Sequence, residues 1–367
     1  NVAVGFRALF STTTASNNVA IGHNAGYKTK TGGSAVHIGA YAGYHNLAGN
    51  CVNIGYSAGE FVSGSKNVFI GPAAGKSQTF RNAEPYSNAS DNVGIGEESL
   101  YYIGTDAVHN ISLGGRTMHA NTTGSYNVAL GGQSLDVNIS GDYNIAIGYQ
   151  AGDNNTTGDG NISIGYQAGG QTTADYNTVI GHLAGQNTSA GYNVIMGYKA
   201  AYQYGASTSN VVIGYTAGEA YRGGESVIIG HQAGNGQGTI DLGNSVLVGK
   251  NAGRFAKAVR ITDLGWNAGT YMTGSDNTFI GAYAGHGDGS TSAPYGQGTH
   301  NTTLGAYAGY NLSSGNQNVL LGYGAGGDTT TGDNQILIGY GVEASSATAD
   351  NETVIGNSSQ THVIFGG

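Results

Sequence analysis

The chain has 367 residues, a formal net charge of −9 and only 10% charged residues, far below the roughly one quarter usual for soluble domains. No basic stripe is present, which argues against nucleic-acid binding through phosphate neutralisation. The 67 glycines follow no Gly-X-Y period, which excludes collagen, and no apolar run approaches the ~18 residues of a membrane-spanning helix.

Taken in order, the predicted elements are one short unit repeated. Asn18-Val19-Ala20-Ile21-Gly22 precedes His23-Asn24-Ala25-Gly26, and the pattern returns as Asn127-Val128-Ala129-Leu130-Gly131 and Asn144-Ile145-Ala146-Ile147-Gly148. There are 21 copies, whose marker glycines run from Gly5 to Gly356, mostly 16 or 17 residues apart. That period suits one turn of a parallel β-solenoid with two short strands per coil. At ~4.8 Å per coil, a single elongated domain over 1–367 would be roughly 100 Å long. Residue 1 falls inside a repeat, so the chain is expected to be part of a longer one.

Within each unit the residue before the marker is apolar in all 21 copies. The residue three before it is Val or Ile in 16 copies and Thr in five. A strand points both to one face, so Val19, Ile21, Val128 and Ile147 are expected in the coil interior. The mixed position between them (Ala20, His37, Asn53) is expected to face elsewhere. On that reading Val179, Ile195, Val212, Ile228 and Leu247 form an outward apolar stripe needing a cover. Ala three after the marker in 16 copies, then Gly in 14, indicates a tight bend. Asn four before the marker in 14 copies, Asn18 and Asn127 among them, predicts corners with a ladder of amide hydrogen bonds. Cys51 holds that position once. As the only cysteine it excludes an intrachain disulfide and reads as stacked filler, with interchain pairing as the other reading.

The first five copies are regular. Long gaps then carry insertions near 76–91 and 286–300, which hold Pro85 and Pro294, in keeping with proline's absence from central ladders. The copies around Glu97 and Arg116 are degenerate, with Ser-Leu and Thr-Met in place of Ala-Gly. Solenoid insertions commonly emerge on a binding face, so segments 81–90 and 287–298 are expected to hold specificity.

The NVAIG-x-x-A-G unit resembles the head repeats of trimeric autotransporter adhesins, which read like NSVAIG-x-x-S. That resemblance covers nearly the whole chain and implies a left-handed parallel β-roll in a homotrimer. Those repeats are nearer 14 residues. The longer unit, with Ala-Gly where Ser is usual, is more similar to repeats of bacteriophage tail fibres. A thin coil core and the expected apolar stripe also point to three chains packed along an axis.

No catalytic, metal or cofactor site is predicted. The acids lie mostly in turns, such as Asp153, Asp159 and Asp333, and adjacent Glu97 and Glu98 would point to opposite faces of a strand. The segment Gly287-Asp288-Gly289-Ser290 lacks the acids of calcium-binding β-roll repeats, and His23, His182 and His231 lie in separated coils. Tyrosines after the marker, including Tyr149, Tyr166, Tyr198 and Tyr215, should line up as a stripe. They serve either ladder and interchain packing or contact with a glycan or host surface. With Pro85, Tyr86, Pro294 and Tyr295 they are the candidate contact residues. The expected role is a structural tail-fibre shaft or receptor-contacting segment of a virion, not an enzyme. Its expected partners are itself, other virion or fibre proteins and a host surface glycan or protein, with no nucleic acid and no membrane insertion. The alternatives are the head of a bacterial surface adhesin and, more weakly, a glycan-degrading tailspike.

Overall fold

A computed structural model of the chain describes residues 1–77, 87–171, 173–203, 207–236, 242–287 and 296–360. Segments 78–86 and 288–295, with Pro85, Tyr86, Pro294 and Tyr295, lie outside the described residues. The chain packs as two compact units, Asn1–Ala190 and Gly191–Gly367. Each is an all-β parallel solenoid. Among the described residues, eleven three-residue strands, Val2–Val4 to Thr178–Ile180, belong to the first unit, and ten, Val194–Met196 to Thr353–Ile355, to the second. Each coil contributes one strand rather than two, and turns complete it. Within a unit, successive strands pair in parallel with the repeat in register: Val19 on Val36, Ala20 on His37, Ile21 on Ile38. After both insertions the stack resumes, with Ser87 bridged to Val62 and Gly296 to Met272.

The facing of the strands is the reverse of the expectation. Ala20, Ala129 and Ala146 are fully buried, whereas Ile21 and Ile147 are 41% and 37% exposed and Val19 and Val128 only half-buried. Val179, Ile195, Val212, Ile228 and Leu247 are likewise completely buried inside their coils. A three-residue strand turns its centre one way and its flanks the other. The coil is narrow enough to admit only the centre. The flank positions, mostly Val and Ile, therefore form the outer face.

The mixed central position is explained by an exchange of volume with the residue four after the marker. Large central residues sit under a glycine: Phe69 under Gly75, Phe279 under Gly285, His37 under Gly43, where an added Cβ would collide with the ring. Where the centre is small, a large residue takes the space. Gly94, Ser112 and Ala129 are matched by Leu100, Met118 and Leu135, all three at most 2% exposed. Those three hold left-handed φ values of 54°, 46° and 48°, at about 1–2 kcal/mol each. The degenerate copies are thus compensated ones.

The marker glycine has a separate cause. At Gly22, φ is +137° and an added Cβ would lie 2.6 Å from the carbonyl oxygen of Gly39. The markers stack backbone on backbone.

The corner ladder forms as expected and is buried. The amide oxygen of Asn92 accepts both the backbone N–H (3.0 Å) and the side-chain Nδ2 (3.0 Å) of Asn110. Asn127 repeats the arrangement on Asn110, as Asn210 does on Asn193. The coil corner so obtains partners for its inward polar groups. Cys51 replaces Asn there, fully buried, with Sγ 3.4 Å from the Gly64 carbonyl oxygen. It is filler, closed to pairing with another chain in this conformation.

Two central residues are ionisable and buried. His37 Nδ1 accepts from Asn53 Nδ2 at 3.0 Å, and burial lowers its pKa to about 4, so the ring is neutral near pH 7. Asp263 is fully buried, with neither carboxyl oxygen hydrogen-bonded, and burial raises its pKa well above 3.8. Below pH 3.8 the carboxyl is protonated whether the chain is folded or unfolded. As pH rises past 3.8 the unfolded chain releases the proton and the folded chain holds it, so stability falls until the folded pKa is passed. Leu247 already fills this place in the coil before. Asp263→Leu should therefore stabilise the protein at pH 7 by on the order of 2 kcal/mol. The gain should shrink toward pH 3 in paired thermal melts.

Candidate functional site

Three surfaces recur on the described coils. The first is the outer strand face. Ile95, Ile111, Leu113 and Ile147 in the first unit, and Val246, Leu304, Val319 and Leu321 in the second, each expose more than a third of their surface. Single exposed apolar side chains are ordinary, but a continuous row marks an interaction surface.

The second is aromatic. Tyr149 stacks on Tyr166 (centroids 5.8 Å, 18°) and Tyr166 on His182 (5.0 Å, 16°). In the second unit Tyr198 stacks on Tyr215 (5.2 Å) and Tyr215 on His231 (5.0 Å). These four tyrosines are 40–50% exposed. One glycine separates each from the apolar strand flank, so the column borders the first surface along the chain. The marker-following histidines are ring partners here, and His23 likewise stacks on Phe6 at 5.5 Å. Two further stacks escaped sequence reasoning. His109, Tyr126 and Tyr143 form one, with centroids 4.9 and 5.0 Å apart. Phe10, Tyr27 and Tyr44 form the other, at 5.4 and 5.0 Å. Their signal lies in the sequence, because each set recurs at one coil phase, five residues before or five after the marker.

The third surface is polar. Asp159 Oδ1 accepts the backbone N–H of Asp142 at 2.7 Å, Asp142 Oδ1 that of Ser125 at 2.7 Å, and Asp333 Oδ1 that of Asn316 at 2.7 Å. These acids cap the backbone of the coil before them. Gln133, Gln150 and Gln167 form an amide ladder at 3.1 and 2.8 Å. Glu97 and Glu98 sit in the turn after Gly96 rather than on a strand, and Glu98 lies 3.6 Å from His119 Nε2. Asp153 is partly buried, and burial lifts its pKa to about 6.

No protein-family model matches the chain, and no curated protein matches it. The surfaces therefore carry the functional argument. They offer apolar burial along the strand face and π-faces and amides beside it.

Proposed function

We propose that this chain is a structural segment of a virion fibre, a tail-fibre shaft or receptor-contacting part, that works as a homotrimer without catalytic activity. The outer strand face carries the reading. The repeat keeps an apolar residue before the marker glycine in all 21 copies, although the described strands turn that position away from their own core. Covering that face is what copies of the same chain would do, since an in-register stripe on one chain meets an equivalent stripe on the next. The likeness of the unit to trimeric β-roll head repeats favours three chains over two. Exposed tyrosines such as Tyr149, Tyr166, Tyr198 and Tyr215 border that face, and with charged residues at only 10% of the chain such a surface suits contact with host glycans while resisting non-specific charge attraction.

Location provides the test. Antibodies raised against the chain should decorate the fibres of phage particles in immunogold electron microscopy and block adsorption to the host. Decoration of uninfected bacterial cells instead would overturn the reading in favour of a surface adhesin. Loss of a host polysaccharide on incubation with the purified protein would overturn the absence of catalysis.

A further inference from the structure

Coils marked by Gly22, Gly39 and Gly55 enclose a surface cleft of about 390 Å³, within the roughly 300–1,000 Å³ range of small-molecule sites. Its walls come from equivalent places in successive coils. Tyr44 and Glu60 each stand five residues after their marker, and Lys28, His45 and Phe61 each stand six after. Tyr44 is held by stacking on Tyr27 (5.0 Å, 7°) and meets Tyr41 at 5.8 Å and 52°. His45 bridges Tyr44 (4.9 Å) and Phe61 (5.3 Å). The cleft thus has tilted aromatic walls instead of a flat stack.

Polar groups make up most of its exposed lining. Glu60 is only 8% exposed, and its Oε2 is 3.2 Å from Lys76 Nζ. Asn24 lines the cleft with an Oδ1 that is buried without a hydrogen-bond partner, so its amide gains by turning toward a hydroxyl. Lys76 already offsets the charge of Glu60, so Lys28 is the one uncompensated charge of the lining, and burial lowers the pKa of His45 to about 4, leaving it neutral. A single, partly exposed lysine charge is screened by solvent and does not select a multiply charged ligand. Aromatic faces take the C–H face of a sugar ring, while a carboxylate, an ammonium and an amide bond its vicinal hydroxyls.

We propose that this cleft binds a neutral saccharide unit, a hexose or N-acetylhexosamine residue of a surface glycan. The site gives the host-contact reading a ligand class and rests on that reading for its biological use. The test is independent of it, because binding is measured on the purified full chain and location on particles. Neutral and anionic hexose and N-acetylhexosamine oligosaccharides are screened by saturation-transfer NMR. At least one neutral oligosaccharide should bind, and Tyr44→Ala and Glu60→Gln should each weaken it at least tenfold. Lys28→Ala, at a more exposed residue, should weaken it with the melting temperature unchanged. Tyr198→Ala, in the other unit, should leave binding intact. Binding to no member, binding confined to anionic sugars, or binding that survives the Tyr44, Glu60 and Lys28 variants would each overturn the proposal.

Discussion

Ile145→Asp with Ile147→Asp should convert the assembly from three chains to one. Both side chains lie on the outer strand face, Ile147 at 37% exposure. On a lone chain their replacement costs little beyond strand propensity, at most about 1 kcal/mol each. In a trimer the same change places six carboxylates against apolar surface, and each uncompensated buried ion costs several kcal/mol. Sedimentation should therefore show single chains that keep their β-sheet circular dichroism. Ala146→Asp, between them, is the contrasting variant. Ala146 is fully buried, so that change should unfold its coil instead. A double variant that stays trimeric would mean that the strand face is not the contact.

The second large effect is expected along the glycine spine. At Gly148, φ is +131° and a Cβ would lie 2.5 Å from the Gly165 carbonyl oxygen. The next coil would have to move away, straining the 2.8 Å bond from Gly165 N–H to the Ile147 carbonyl. Gly148→Ala combines a conformation that L-residues avoid with a backbone collision, and should cost about 4 kcal/mol or more. Gly341→Ala is the control. Its φ is +55°, with nothing within 4 Å of the added atom, so only the left-handed backbone remains, worth about 1–2 kcal/mol. Equilibrium denaturation of the pair separates the two terms.

Much of this architecture follows from the repeat. The period fixes the coil, the marker glycine its sharp turn, and the Asn column its buried corner ladder. The facing of the strand did not follow, for a physical reason. Alternation shows that Val19 and Ile21 share a face opposite Ala20, but apolar character alone does not say which face the coil closes over. The decisive clue lay in a pairing across six residues. Phe69 goes with Gly75 and Gly94 with Leu100, which only makes sense if the central residue shares the interior with the residue four past the marker. The regular, mostly Val and Ile flanks are then left as the outer face. Among the candidate contact residues, Tyr149, Tyr166, Tyr198 and Tyr215 are exposed and stacked as their phase implies. The cleft at Tyr44 and Glu60 escaped because Glu60 stands where the three coils before it carry Phe10, Tyr27 and Tyr44, and periodicity says nothing of what a single departure from a column opens.

The mass of the intact assembly in solution tests the central claim most directly, by native mass spectrometry or sedimentation equilibrium on the full chain. The account predicts three times the 37.1 kDa chain, with the outer Val/Ile faces protected from solvent. A stable, folded particle of 37.1 kDa, with those faces in water, would contradict it, and a dimer would keep the buried face but refute the threefold arrangement.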